Sequence, residues 1–194
     1  MLGRNTNLLL EISETVLLAA LSFFGTRLLV QNFRVEGPSM IPTLQNAQFL
    51  LVNKLAYLAG NPGRGDVVVL RSPRNSDEDL VKRVVALPDE TIEVRAGQIY
   101  VNGQRLDEQA YQSAATVPDM PPRRVPPDAY FVLGDNRAQS RDSRHLGAVP
   151  RGAIVDQVWL IYWPPASFGL LEVHPPGLEP APQRVSQAGV AVAA

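Results

Sequence analysis

A chain of 194 residues, 45% apolar and 19% charged, is long enough for one ordinary core with appendages or at most two small ones. Its net charge of −1 leaves no basic footprint for nucleic acid, and the absence of cysteine excludes disulfides, thiolate metal sites and thiol nucleophiles. Only two histidines occur, one of them in a proline-rich tail, so a multi-histidine metal centre is excluded and any histidine-based triad depends on His145.

Residues 1–14 read as a short tail and 15–32 as a membrane anchor helix. From Val16 to Phe33 about 18 mostly apolar residues follow one another, against the roughly 17–25 that a spanning helix needs. Arg27 interrupts the run; near one end it can snorkel, but at the centre it is costly. A signal peptide cut near Ala20-Leu-Ser22 and an amphipathic or core-packing helix are the alternatives. Charge hardly orients the segment, since only Arg4 precedes it and Glu11 and Glu14 oppose it.

From residue 33 the pattern changes to short β-like runs between Gly and Pro. Residues 49–52, 66–70, 80–85, 91–94, 98–101, 130–133 and 154–162 alternate or run apolar as strands do. Asn102-Gly103 suits a type I′ hairpin. The expectation is a mainly β, barrel-like antiparallel domain over 33–163, with 106–127 as a loop or small insertion. The tail 164–194, rich in proline and small residues, is expected to be disordered.

Three segments carry possible chemistry. In Glu36-Gly-Pro-Ser-Met-Ile-Pro-Thr-Leu44 a serine between two prolines sits on stiff, turned backbone that can present Ser39 and its amide to a cleft. A plain turn explains the same residues. In the strand around Lys82-Arg83 the two side chains must point to opposite faces, so one charge should lie on the core side. A buried lysine loses solvation of its ammonium, its pKa falls, and the neutral amine can accept a serine proton. A rim strand with both side chains in solvent is the ordinary alternative. The third segment, Gly134-Asp-Asn-Arg and Ser140-Arg-Asp-Ser-Arg144, alternates hydroxyl, acid and base after a tight turn; a solvated polar loop would look similar.

Together, behind an apolar N-terminal run and in this order, Pro38–Leu44, Arg64-Gly-Asp-Val-Val68, Val81-Lys-Arg-Val-Val85 and Gly134–Arg144 resemble bacterial type I signal peptidase, a Ser/Lys endopeptidase. The resemblance covers roughly residues 15–162. It implies Ser39 as nucleophile, Lys82 as general base and Ser140 as the hydroxyl orienting the amine. Asp142 and Arg144 would support that loop, Asp135 would pair with Arg83 on the outer side of the site, and Met40 and Pro42 would shape the nucleophile turn. Phe33, Val35, Asp79, Val81 and Met40 would receive an extended substrate.

It further implies a membrane-bound serine endopeptidase that cleaves N-terminal signal peptides from exported precursors. Those precursors and the lipid bilayer would be its partners, with no nucleic acid, no metal, no cofactor and a monomer expected. The location would be the inner or plasma membrane, single-pass, with the catalytic domain on the extracytoplasmic side. Two departures stand out. The family's Leu-Pro-Gly-Asp is Leu87-Pro-Asp-Glu90 here, which puts aspartate where a turn can require positive φ. Gly37 stands where some members carry a serine that helps the oxyanion hole. Rival readings are a cytosolic self-cleaving repressor-type Ser/Lys protease, a Ser/His/Asp hydrolase using His145, and a non-catalytic membrane-tethered β-domain that binds signal sequences.

Overall fold

The computed structural model describes residues 2–58, 60–73, 75–111, 117–171 and 176–179. Helix α1 (Leu2–Leu29) runs without a linker into strand β1 (Val30–Arg34). There follow β2 (Phe49–Asn53), β3 (Val67–Ser72), β4 (Asn75–Ala86), β5 (Thr91–Arg95), β6 (Gln98–Val101), β7 (Gln104–Leu106), β8 (Met120–Arg124) and β9 (Ala129–Leu133). A short helix α2 (Ser143–Leu146) precedes β10 (Val149–Pro150), β11 (Ile154–Trp163), β12 (Gly169–Leu170) and β13 (Leu178–Glu179).

Two antiparallel sheets result. The larger runs β1-β2-β11-β3-β4-β9-β10, with β12 on β11; the smaller runs β13-β7-β6-β5-β8. Why β3 lies centrally is plain from its composition. Val67-Val-Val-Leu70 is buried on both faces, Val67 and Val69 packing with Met40, Leu44 and Leu50, Val68 and Leu70 with Val84, Tyr130 and Ile154. Each such side chain contributes about 1.5–3 kcal/mol by leaving water. A third cluster joins the sheets: Val85 and Ala86 of β4 and Phe131 and Leu133 of β9 pack on Ile92, Val94, Ile99 and Val101.

The expected strands form, and so does the hairpin. Asn102 (φ 52) and Gly103 (φ 78) are both left-handed, as a type I′ turn requires. Asp89 adopts φ 65, the conformation put in question by the missing glycine. The turn is held by Glu90, whose carboxylate accepts from the Leu87 amide at 2.6 Å and pairs with Arg64 at 2.5 Å. The Asp89 amide donates to Val125 O at 3.1 Å.

The expected barrel-like antiparallel fold forms as a curled half-barrel, with β1 and β10 at its ends, each paired on one side among the described residues. Other expectations need correction. The N-terminal tail 1–14 is not separate: α1 begins at Leu2. Residues 30–32 belong to β1, since pairing with Asn53, Val52 and Leu51 of β2 captures them as strand. Among the described residues no helix is long and apolar enough to cross a membrane. At 28 residues α1 spans about 42 Å, but Arg4, Asn5, Thr6, Asn7, Glu11 and Glu14 dilute its first half. Within 106–127, Met120–Arg124 forms β8; its prolines are tolerated because β8 is an edge strand. The tail contributes β12, paired with Leu160 and Ile161, and β13, paired with Leu106 and Arg105. Residues 172–175 and 180–194 of that tail, and 112–116 of the insertion, lie outside the described residues.

Candidate active site

The turn from Glu36 to Ala47 projects Ser39. Its base is tied by Val35 N to Gln48 O (2.8 Å) and Ala47 N to Val35 O (2.9 Å). Met40 and Leu44 anchor it in the core, at 1% and 0% exposure. Gly37 takes φ 87, a left-handed value that glycine adopts without strain. The Gly37 amide donates to Asn46 Oδ1 at 2.9 Å, and Pro38 has no N–H.

Lys82 and Arg83 do point to opposite faces of β4, yet both are buried, at 3% and 1% exposure. Lys82 Nζ lies 2.9 Å from Ser39 Oγ and 2.8 Å from Val81 O. Burial lowers its pKa from 10.5 to about 8; Asp142, Glu78 and Asp135 counter that fall and Arg141 adds to it. Arg83 forks onto Asp135, Nε to Oδ1 and Nη2 to Oδ2, both at 2.8 Å. It also donates to Gly65 O at 2.8 Å, and its guanidinium stacks 4.1 Å from the Tyr111 ring centroid. Thr43 Oγ1 donates to Asp135 Oδ2 at 2.5 Å. The expected Arg83–Asp135 pair is formed, but it is interior, not on the outer side, because its polar atoms find partners from three loops.

The Gly134–Arg144 segment closes the site. Asn136 donates to Ser39 O (backbone N–H, 3.1 Å) and to Pro38 O (side chain, 3.1 Å), docking the Ser39 turn. Asp142 accepts from the Gly134 amide at 3.0 Å and from Arg144 at 2.8 and 2.9 Å. Burial alone would raise the Asp142 carboxyl; Arg144 and the Gly134 amide hold it below its ordinary value. Ser140 differs from expectation. Its buried hydroxyl lies against the Asp142 carboxylate, while the Lys82 amine turns to Val81 O and Ser39.

Gly134 is required for close approach. A Cβ there would overlap the Ser39 carbonyl oxygen and both Cβ and Oγ of Ser140; the carbonyl and the Cβ cannot move without displacing the turn or the loop. Gly134→Ala is expected to lower kcat/KM about 100-fold, since a misplacement near 1 Å has that effect. Cleavage assays at a temperature where the variant's melting curve shows it folded would check this.

A cleft of about 140 Å3 opens beside the pair, lined by Phe33, Val35, Ser39, Met40, Asp79, Val81 and Lys82 among others. The five residues expected to meet substrate are thus gathered with the serine and lysine. His145 is elsewhere, in a hollow with Pro118, Asp119, Met120 and Arg123.

The family model described as signal peptidase, peptidase S26, matches residues 9–163. The chain belongs to the signal peptidase family. It is 36% identical over 171 residues to a probable signal peptidase I-2 of Synechocystis sp., covering 85% of this chain and 78% of that one. With a signal peptidase I of Bacillus caldolyticus it shares 42% identity over 150 residues, 71% and 81% of the two chains. A crystal structure of a signal peptidase I from Enterococcus faecalis V583 aligns at 32% identity and TM-score 0.45, covering 50% of this chain and 96% of that one.

Sequence reading missed several residues of this peptidase's site. Thr43, Glu108 and Tyr111 were read as turn or loop residues, and Arg137 was noted only within its motif. An acid and an aromatic three residues apart in an otherwise aperiodic stretch, Glu108 and Tyr111, are the one local sign that the segment is buried.

Proposed function

We propose that the chain is a membrane-bound serine endopeptidase that removes signal peptides from exported precursors, with Ser39 as nucleophile and Lys82 as base. The observation that carries this reading is the 2.9 Å approach of a buried, desolvated lysine amine to the Ser39 hydroxyl. Neutral Lys82 takes the hydroxyl proton while Oγ bonds to the carbonyl carbon. The oxyanion meets the Ser39 amide. The C–N bond breaks as the lysine ammonium returns its proton to the leaving amine, and water, deprotonated by Lys82, releases the acyl group.

The substrate would enter extended. β1 has a free edge, and β4 pairs with β9 only from Arg83 onward, leaving its 79–82 stretch with one partner among the described residues. Both free edges line the cleft, so a strand laid between them can bond to each. Names of the relatives support signal peptides as that strand.

Membrane attachment is supported by α1. Val16, Leu17, Leu18, Leu21, Phe23 and Phe24 are each more than half exposed and spread over roughly 220° of the helix circumference. A broad apolar face left exposed suits a lipid surface. Trp159 and Trp163 of β11, Leu170 of β12 and Phe168 just before it are further exposed apolar side chains.

The test is cleavage of an Ala-x-Ala precursor by wild type, Ser39→Ala and His145→Ala across pH. Wild-type kcat/KM is expected to rise with pH to a plateau with a midpoint near 8, as Lys82 loses its proton. His145→Ala should match it, and Ser39→Ala should be inactive; an active Ser39→Ala would end the proposal. Sedimentation with membranes after alkaline carbonate washing checks the attachment, and release into the supernatant would refute it.

A further inference from the structure

Glu108 lies outside the cleft, 6% exposed, in the stretch that follows β7. A buried carboxylate is costly unless paired, and this one meets Arg137 in a two-point fork, Nη2 to Oε1 at 2.5 Å and Nη1 to Oε2 at 3.0 Å. The same arginine uses Nε to hold Gly134 O at 2.9 Å. Its own carbonyl accepts from Arg144 Nη2 at 2.8 Å. Arg137 thus spans the loop that docks Ser39, gripping it at Gly134 and ending on Glu108.

Glu108 itself is fixed from the smaller sheet. β7 ends two residues earlier, at Leu106, which pairs with Leu178 of β13; the next amide, of Asp107, donates to Gly177 O at 2.9 Å. Tyr111 adds a second link: its hydroxyl donates to Glu108 Oε1 at 3.3 Å and its ring carries the Arg83 guanidinium. Arg83 of β4 and Arg137 of the Gly134–Arg144 loop therefore both end on one four-residue piece of the smaller sheet's connection.

We infer that Glu108 is a positioning residue for the proteolytic reaction, acting through Arg137 to set where the Gly134–Asn136 backbone holds Ser39 against Lys82. This rests on the reading of Ser39 and Lys82 as the reacting pair. The smaller sheet is then part of the catalytic apparatus, and its contribution is the placement of one carboxylate. A fork of two charged hydrogen bonds fixes a plane as well as a distance, which a single bond does not.

The experiment compares the full chain with Glu108→Gln, Glu108→Asp, Arg137→Gln and the double variant Glu108→Gln/Arg137→Gln on the same precursor. Glu108→Gln is expected to lower kcat about 100-fold with KM within threefold, since the cleft residues are not touched. The pH midpoint near 8 should stay in place, because the charges that act on Lys82 are Asp142, Glu78, Asp135 and Arg141. Glu108→Asp should lose kcat about tenfold and, keeping its charge against Arg137, remains the measurable variant if glutamine at this position prevents folding. The double variant should be no slower than the slower single, as expected of residues acting as one unit.

An unchanged kcat, a rise in KM alone, or full recovery on cooling well below the melting transition would overturn the inference by leaving Glu108 a support of stability only. Multiplicative losses in the double variant would overturn it too. Ser39→Ala run alongside separates the two levels. If that variant cleaves, the nucleophile reading falls and the inference with it; if it is inactive while Glu108→Gln keeps wild-type kcat, the inference alone falls.

Discussion

Lys82→Arg is expected to lose at least about a thousandfold of kcat/KM at every pH up to 10. The loss is the usual scale of an essential general base, and its cause is specific. A guanidinium stays protonated throughout that range and cannot take the Ser39 proton, whereas the lysine amine, brought to about 8 chiefly by burial, is available as a base in mildly alkaline solution. Lys82→Met should be equally inactive and should report the other side of the same burial. The folded pKa lies below the unfolded 10.5, so between about pH 8 and 10.5 the unfolded chain binds the extra proton and stability rises with pH. Below pH 8 the fold carries a desolvated ammonium that destabilises it by about 3 kcal/mol. Lys82→Met removes that burden. Urea denaturation at pH 7 should find the methionine variant more stable by up to about 3 kcal/mol, with the gap closing toward pH 10. A gap independent of pH would mean that the lysine is not desolvated as described.

The second large effect is on stability. Arg83→Ala should destabilise the fold by about 3–5 kcal/mol, because it strands the Asp135 carboxylate at 0% exposure. The melting temperature should fall by roughly 10 °C. What makes this pair unlike a surface ion pair is how fully it is used. Arg83 reaches both Asp135 oxygens, Gly65 O and Thr43 Oγ1, and covers the Tyr111 ring. Arg83→Met/Asp135→Leu removes both charges and should recover most of the loss, since neither partner is then left unpaired. Guanidinium melts of the three proteins would show it. A single variant no less stable than wild type would mean that the pair contributes nothing.

Much of the larger sheet was legible because its strands bury alternate or successive apolar residues, and that pattern survives in a bare sequence. Val67–Leu70 and Ile92 with Val94 are examples. β1 was not legible, since Val30 and Phe33 continue the apolar composition of the helix before them, and only pairing with β2 decides where helix ends. β8 hid behind Pro121 and Pro122, which are admissible there only because β8 is an edge, a fact of topology. At the site, the adjacency of Lys82 and Arg83 announced opposite faces. That both faces are interior depends on partners 50 or so residues away, Asp135 among them, which no local pattern reveals. Ser140 makes a related point: likeness assigned its hydroxyl to the lysine amine, whereas in the structure the hydroxyl sits beside Asp142 and the amine bonds to Ser39 and Val81.

The free edge of β1 has a further consequence. Among the described residues one edge of this strand has no partner, and such an edge is open to the same strand of another molecule, where it can seed aggregation. The composition of β1 limits this. It is five residues long, Gln31, Asn32 and Arg34 are exposed along it, and α1 blocks one end. Short length and charge are the means by which edge strands avoid sheet-to-sheet growth. The exposed polar residues beside Phe33 are therefore expected to discourage pairing of this edge with its own copies.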